Sequence, residues 1–146
     1  MKTERAILAA EHLAAVAQEA ELAFPAECCG LLLGRRTPQG WSLEQSRAMR
    51  NASPQPERGF EFDTHEQLRA YREADAAGLE VLGNYHSHPN ARRGPSPVDL
   101  ALARERCDRS LWLILAVANG KFDETSLWQL QGEPGEFERI EYSIVS

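Results

Sequence analysis

The eight residues Leu111-Trp112-Leu113-Ile114-Leu115-Ala116-Val117-Ala118 are apolar without interruption. A run this short, closed by the turn pair Asn119-Gly120, reads as a central strand of a sheet. Such a strand has no solvent face to mark with polar residues. The rest of the chain has to supply its cover.

The flanking pattern provides candidates. Thr3 to about Ala23 reads as a helix, with Leu8, Val16, Ala20 and Ala23 set among Glu11, Gln18 and Glu21, and Pro25 closes it. Glu27 to Gly34 is a short apolar run, expected to be a buried strand, and Pro38-Gln39-Gly40 turns into a second strand from Trp41 to Met49. Asn51 to Gly59 is a loop with two prolines, and Phe60 to Asp63 alternates like a brief strand. Asp63 or Thr64 caps a helix that runs to about Ala77 and ends at Gly78. Leu79 to His88 is the next strand, Asn90 to Pro95 a polar loop, and Ser96 opens a helix to about Cys107. Thr125 to Leu130 and Phe137 to Val145 are expected as the last strands. This order predicts an α+β (α/β-like) fold, a single domain over residues 1–146 with a mixed β-sheet flanked by helices.

Composition narrows the function. A formal charge of −6 and a pI near 5.2 leave no electrostatic footprint for nucleic acid or an anionic membrane. No apolar run approaches the roughly 20 residues of a membrane span. Met1-Lys2-Thr3-Glu4-Arg5 leads into an amphipathic segment containing Glu11 and Glu19, unlike a secretory signal. Cys28, Cys29 and Cys107 are odd in number and two are adjacent, which fits a reducing compartment better than a disulfide framework. Cytoplasm is the expected location.

The chemistry concentrates in His86-Ser87-His88-Pro89, Ser96 and Asp99. In an extended strand, residues i and i+2 point to one side, so both imidazoles can close on one ion. Two nitrogens and a carboxylate suit zinc and leave a fourth tetrahedral position for water. Each part also has a plainer reading. A His-x-His pair can decorate a half-buried strand, and Ser96-Pro97-Val98-Asp99 is a helix start with serine as N-cap and proline at the first position. The readings of that tetrapeptide are compatible, because a helix start is a rigid place from which to project a ligand. Hydrolysis would also need a base within reach of the water. Glu27, opening an apolar strand after a proline break, is the candidate; the alternative is a solvated strand terminus.

The string from His86 to Pro89, the seven residues Pro89 to Pro95, and Ser96-Pro97-Val98-Asp99 together resemble the JAMM (MPN-plus) metallopeptidase motif. Glu27-Cys28-Cys29-Gly30 matches the Glu-x-x-Gly strand that precedes that motif. The resemblance implies an MPN/JAB (cytidine-deaminase-like) architecture and a zinc metallopeptidase with one Zn2+ per chain. It implies His86, His88 and Asp99 as ligands, Glu27 as general base, and Ser96 as the hydrogen-bond donor to the oxyanion. It further implies a substrate: the C-terminal tail of a ubiquitin-like or sulfur-carrier protein, with a Gly-Gly terminus and a peptide or isopeptide bond to be cut. The run from Asp99 to Leu111 is compact, as in the small stand-alone prokaryotic members.

Rival expectations are a zinc hydrolase of small peptides or amides and a non-catalytic MPN scaffold. The full ligand set argues against the scaffold. Acidic charge argues against a nucleic-acid partner, and oligomeric state is left open. Arg92 and Arg93, in the loop between His88 and Ser96, are expected at the rim of the site, where a guanidinium could pair with a carboxylate of the substrate.

Overall fold

A computed structural model describes residues 5–146. Met1 to Glu4, including the expected start of the first helix at Thr3 and most of the charged segment that argued against a secretory signal, lie outside the described residues. In chain order the elements are β1 (Arg5–Ala9), α1 (Ala10–Ala23), β2 (Cys29–Thr37), β3 (Gly40–Met49), α2 (Thr64–Ala76), β4 (Glu80–His88), α3 (Pro97–Arg106), β5 (Leu111–Ala118), β6 (Lys121–Gln131), β7 (Glu136–Arg139) and β8 (Glu141–Val145).

Among the described residues, all eight strands belong to one mixed sheet in the order β7-β6-β5-β4-β2-β3-β1-β8. β4 and β5 are parallel, as are β1 with β3 and β1 with β8, while the remaining pairs are antiparallel. β7 and β8 form opposite edges, yet only Ile140 separates them in the chain. Neighbouring Cα atoms are about 3.8 Å apart, so two peptide units cannot bridge a flat eight-stranded sheet. The sheet therefore curls until its edges approach. Ile140 marks the closure: its N–H donates to the Leu127 carbonyl (2.8 Å), and its side chain joins the core.

The curl separates two packing faces. On one, α1 sets Val16 and Ala20 against Leu8, Leu43, Tyr85, Leu113, Leu115 and Leu127. On the other, α2 lays Ala70 and Ala74 over Leu31, Leu33 and Met49, and α3 lays Ala103 over Trp112, Ile114 and Leu130. The alternation explains the uninterrupted apolar run of β5. Leu111, Leu113, Leu115 and Val117 serve the first core, and Trp112 and Ile114 serve the second. Each such leucine or isoleucine contributes about 1.5–3 kcal/mol by leaving water.

Three expectations about elements need correction. The first five described residues are a strand rather than the start of a helix. Ala6 and Leu8 are buried while Arg5 and Ile7 are exposed, a period of two that pays off only once β3 and β8 flank the segment. Phe60 to Asp63 is not a strand: Phe60 and Phe62 pack side by side with ring centroids 5.5 Å apart, and Asp63 accepts from Glu66 N (2.9 Å) as the N-cap of α2. The expected last strand from Phe137 to Val145 is two strands, β7 and β8, at opposite edges.

Tyr85 links the sheet to α1. Its ring lies across Gly30, where a Cβ would sit 2.4 Å from the ring atoms, so only glycine fits. Its hydroxyl donates to both Glu19 oxygens (2.8 and 3.1 Å). Burial raises the Glu19 carboxyl above its ordinary value, and the Tyr85 hydrogen bond pulls the other way without cancelling it. The folded chain thus holds this proton more tightly than the unfolded chain. The stability it contributes is complete below the ordinary value of 4.5 and is lost as pH rises through the higher folded value. Glu19→Gln keeps an acceptor for Tyr85 and removes the titration. We expect the variant to gain stability relative to wild type as pH rises from about 4 to about 7, measured by urea unfolding. An unchanged difference across that range would show that Glu19 carries no such penalty.

Candidate metal centre

The antiparallel register of β2 and β4 sets Cys29 opposite His86. Ser87 extends the pairing by one step: Cys28 N donates to Ser87 Oγ (2.8 Å) and Ser87 N donates to the Cys28 carbonyl (3.1 Å). One further step in the same register sets Glu27 beside His88. Ser87 points toward α1, and His86 and His88, on the other face of the strand, point toward α3.

The N-terminus of α3 brings in the third group. Ser96 is its N-cap: Ser96 Oγ accepts from Asp99 N (3.0 Å), and Ser96 N donates to Asp99 Oδ2 (2.9 Å), a reciprocal capping box. With Pro97 opening the helix, this pins the Asp99 carboxylate 3.3 Å from His86 Nε2 and 3.1 Å from His88 Nε2. His86 Nδ1 lies 3.4 Å from Asn84 Oδ1, and His88 Nδ1 lies 3.3 Å from the Arg92 carbonyl, so a proton on either Nδ1 has an acceptor. With protons on both Nδ1 atoms, two Nε2 lone pairs and a carboxylate converge and no donor lies among them. A cation satisfies that arrangement. A four-coordinate ion with metal–ligand distances of about 2.0 Å separates neighbouring ligand atoms by about 3.3 Å, close to the spacings found. His86, His88 and Asp99 are all buried and fit a metal site.

The surroundings tune each group. Complete burial pushes the His86 imidazole below its ordinary value, outweighing the upward pull of Asp99, so the ring is neutral at pH 7. Burial alone would raise Asp99, but the adjoining His86 and His88 rings and the Ser96 N–H hold its carboxyl far below the usual range. Glu27 is opposite in character. Burial pushes it up to about 7, with His88 drawing it down and Asp99 adding to the rise, and its buried Oε1 has no hydrogen-bond partner among the described residues. Phe60 stacks on His86 with centroids 4.3 Å apart, and Trp112 meets the same ring edge-on at 5.7 Å.

A cleft of about 680 Å³ opens onto the centre, lined among others by Glu27, His88, Ser96, Asp99 and Arg92. Asn51 holds the wall over Glu27, donating to the Glu27 and Gly59 carbonyls (3.1 and 3.0 Å) and accepting from Ser53 N and Glu61 N. The two arginines part company. Arg92 lines the cleft with its Nε bonded to the Pro95 carbonyl (3.1 Å). Arg93 lies outside that lining, paired with Asp123 (3.0 Å) and Glu124 (3.6 Å), because the start of β6 brings two carboxylates under the loop. Its carbonyl also accepts from Ser126 Oγ (3.0 Å), so Arg93 fastens the loop.

Phe60, Asn51, Ser87 and Asn84 are the parts sequence reasoning missed. Only the last carried a signal: Asn84 stands two residues before His86, on the same face of a strand. Phe60 and Asn51 reach the centre through a loop whose path no periodicity encodes.

The family model for prokaryotic homologs of the JAB domain matches residues 9–131. The chain is similar to the probable TtuB-protein conjugate cleaving protease of Thermus thermophilus, 35% identical over 82 residues that cover 56% of this chain and 52% of that protein. It is similar to the CysO-cysteine peptidase of Mycobacterium tuberculosis, 32% identical over 100 residues covering 68% and 66% of the two chains. Thus the chain spans about half the length of the first relative and about two thirds of the second. A solution structure of a Desulfitobacterium hafniense protein superposes with a TM-score of 0.81 at 28% identity, covering 97% of this chain and 93% of that one.

Because two protein ligands hold an ion poorly, His88→Ala is expected to lose most of its metal. Elemental analysis after dialysis checks this, and full metal content in the variant would rule out His88 as a ligand.

Proposed function

We propose that this chain, which belongs to the family of prokaryotic homologs of the JAB domain, is a zinc-dependent peptidase. In this reading it hydrolyses a peptide or isopeptide bond at the C-terminal tail of a ubiquitin-like or sulfur-carrier protein ending in Gly-Gly. The observation that carries it is one cleft lined by His88, Asp99 and a buried Glu27 whose Oε1 has no partner among the described residues, with His86 buried behind them in the same convergent set. A scaffold has no use for an unsatisfied buried carboxylate oxygen, which costs stability. The relatives named for conjugate cleavage and for CysO-cysteine hydrolysis support the substrate class.

His86, His88 and Asp99 would hold one zinc, the metal that two imidazole nitrogens and a carboxylate suit. When bound, the ion supplies Lewis acidity to a water and to the scissile carbonyl. Glu27 takes a proton from the attacking water as the new C–O bond forms. It returns that proton to the amine nitrogen as the C–N bond breaks. Ser96 Oγ uses a lone pair for the cap, which leaves its hydroxyl proton free to donate to the developing oxyanion. Arg92 orients the substrate by pairing with a carboxylate on it, whereas Arg93 serves the loop.

The direct test is turnover of a Gly-Gly-tailed carrier conjugate compared with short peptides. Glu27→Gln is expected to keep zinc and fold and to lose about 10²–10⁴ in kcat. The amide can hold the water but cannot take its proton. Near-normal turnover would assign the base elsewhere.

Ser96→Ala should show two losses together. Removal of the cap costs about 1 kcal/mol of stability, and removal of the donor lowers kcat by about 10²–10³ with little change in KM. Melting and kinetics on the one variant separate them, and an unchanged kcat would leave Ser96 with the cap alone.

A further inference from the structure

We propose that Asn84 is a positioning residue: its side-chain oxygen holds the His86 imidazole with Nε2 bare toward the metal, and metal affinity depends on it. The inference rests on the metal-centre reading above and extends it to a residue outside the motif.

The two histidines solve one problem differently. Each needs an acceptor for Nδ1–H so that Nε2 keeps its lone pair for the ion. His88 ends β4, where the chain turns back and the Arg92 carbonyl becomes available at 3.3 Å. Any residue at position 92 supplies a carbonyl. His86 lies inside the ladder, with β2 on one side through Cys29 and β5 on the other through Ile114. There the main-chain carbonyls are engaged by neighbouring strands, and the ring itself is fully buried. Phe60 covers one face and Trp112 abuts the edge, and neither offers an acceptor oxygen. The acceptor has to be a side chain on the same face of the strand, and position 84 is two residues back. Among the described residues, Asn84 Oδ1, at 3.4 Å, is the side-chain acceptor for His86 Nδ1, and Asn84 is itself buried.

Loss of that oxygen has a specific consequence. The ring proton would move to Nε2, where the Asp99 carboxylate 3.3 Å away accepts it. His86 and Asp99 would then satisfy each other, and an incoming ion would have to displace the proton. Asn84 is the counterweight to Asp99. Being neutral, it does this without a third buried negative charge beside Asp99 and Glu27.

The test compares zinc dissociation constants of wild type, Asn84→Asp and Asn84→Leu, by competition with a chromophoric chelator at one pH, alongside the melting temperature of each metal-free protein. The leucine variant, similar in size but without an acceptor, should bind zinc about 10–100-fold more weakly. The aspartate variant keeps the oxygen and should bind at least as tightly as wild type even if its metal-free form melts lower. A structural role alone would shift melting in both variants and leave their zinc constants alike. Nitrogen-15 NMR of the metal-free wild type adds a readout that needs no variant: the His86 proton should sit on Nδ1, facing Asn84, and not on Nε2, facing Asp99. Zinc affinity of Asn84→Leu equal to wild type, or a His86 Nδ1 without its proton, overturns the proposal. A wild type that takes up no zinc overturns the metal centre itself, so the two failures are distinguishable.

Discussion

The pairing of β2 with β4 is the constraint on which the site depends. Its register sets Cys29 against His86, and the Ser87–Cys28 bonds carry that register one step past the end of β2. A slip of one residue would turn His86 and His88 toward α1 and Ser87 toward α3, because side chains alternate across a strand. Gly30 and Tyr85 resist such a slip. The Tyr85 ring fits only where residue 30 has no side chain, and its hydroxyl is tied to α1 through Glu19. A structural contact on one face of the sheet therefore sets the chemistry on the other.

Around that frame the centre concentrates unfavourable electrostatics. Asp99, Glu27 and two imidazoles are buried together, each of them costly to remove from water. The cap at Ser96 offsets part of the cost at Asp99 by donating its N–H to the carboxylate. Among the described residues no hydrogen bond does so at Glu27 Oε1. Apolar packing behind the site supports these groups: Trp112 and Phe60 wall His86 on two sides and keep its ring from turning.

Loop contacts complete the site by local means. Asn51 bonds four backbone groups and shapes the wall above Glu27. Arg93 and Ser126 fasten the segment that carries Arg92 and supplies the His88 acceptor. Arg93 pairs with Asp123 and Glu124 outside the cleft lining, whereas Arg92 lines the cleft. Two loops distant in sequence meet at the metal centre because the curled sheet brings their anchoring strands together.

Much of this was legible in the chain itself. The uninterrupted run Leu111–Ala118 required burial on both faces, and β5 has it. The convergence of His86, His88 and Asp99 was readable because they lie within one strand–loop–helix segment, where strand period and helix capping are local rules. Rules of that kind act over a few residues and leave a mark in the spacing. The nature of Arg5–Ala9, the division of the last strand at Ile140, the stacking of Phe60 and the diversion of Arg93 left none. Each depends on a partner far away in sequence: β1 on β3 and β8, Ile140 on the closure of the sheet, Phe60 on a loop path, Arg93 on Asp123. Local propensity specifies which residues can form an element or hold an ion, but the sheet's register and curl decide which groups meet, because those contacts exist only once the distant strands have paired.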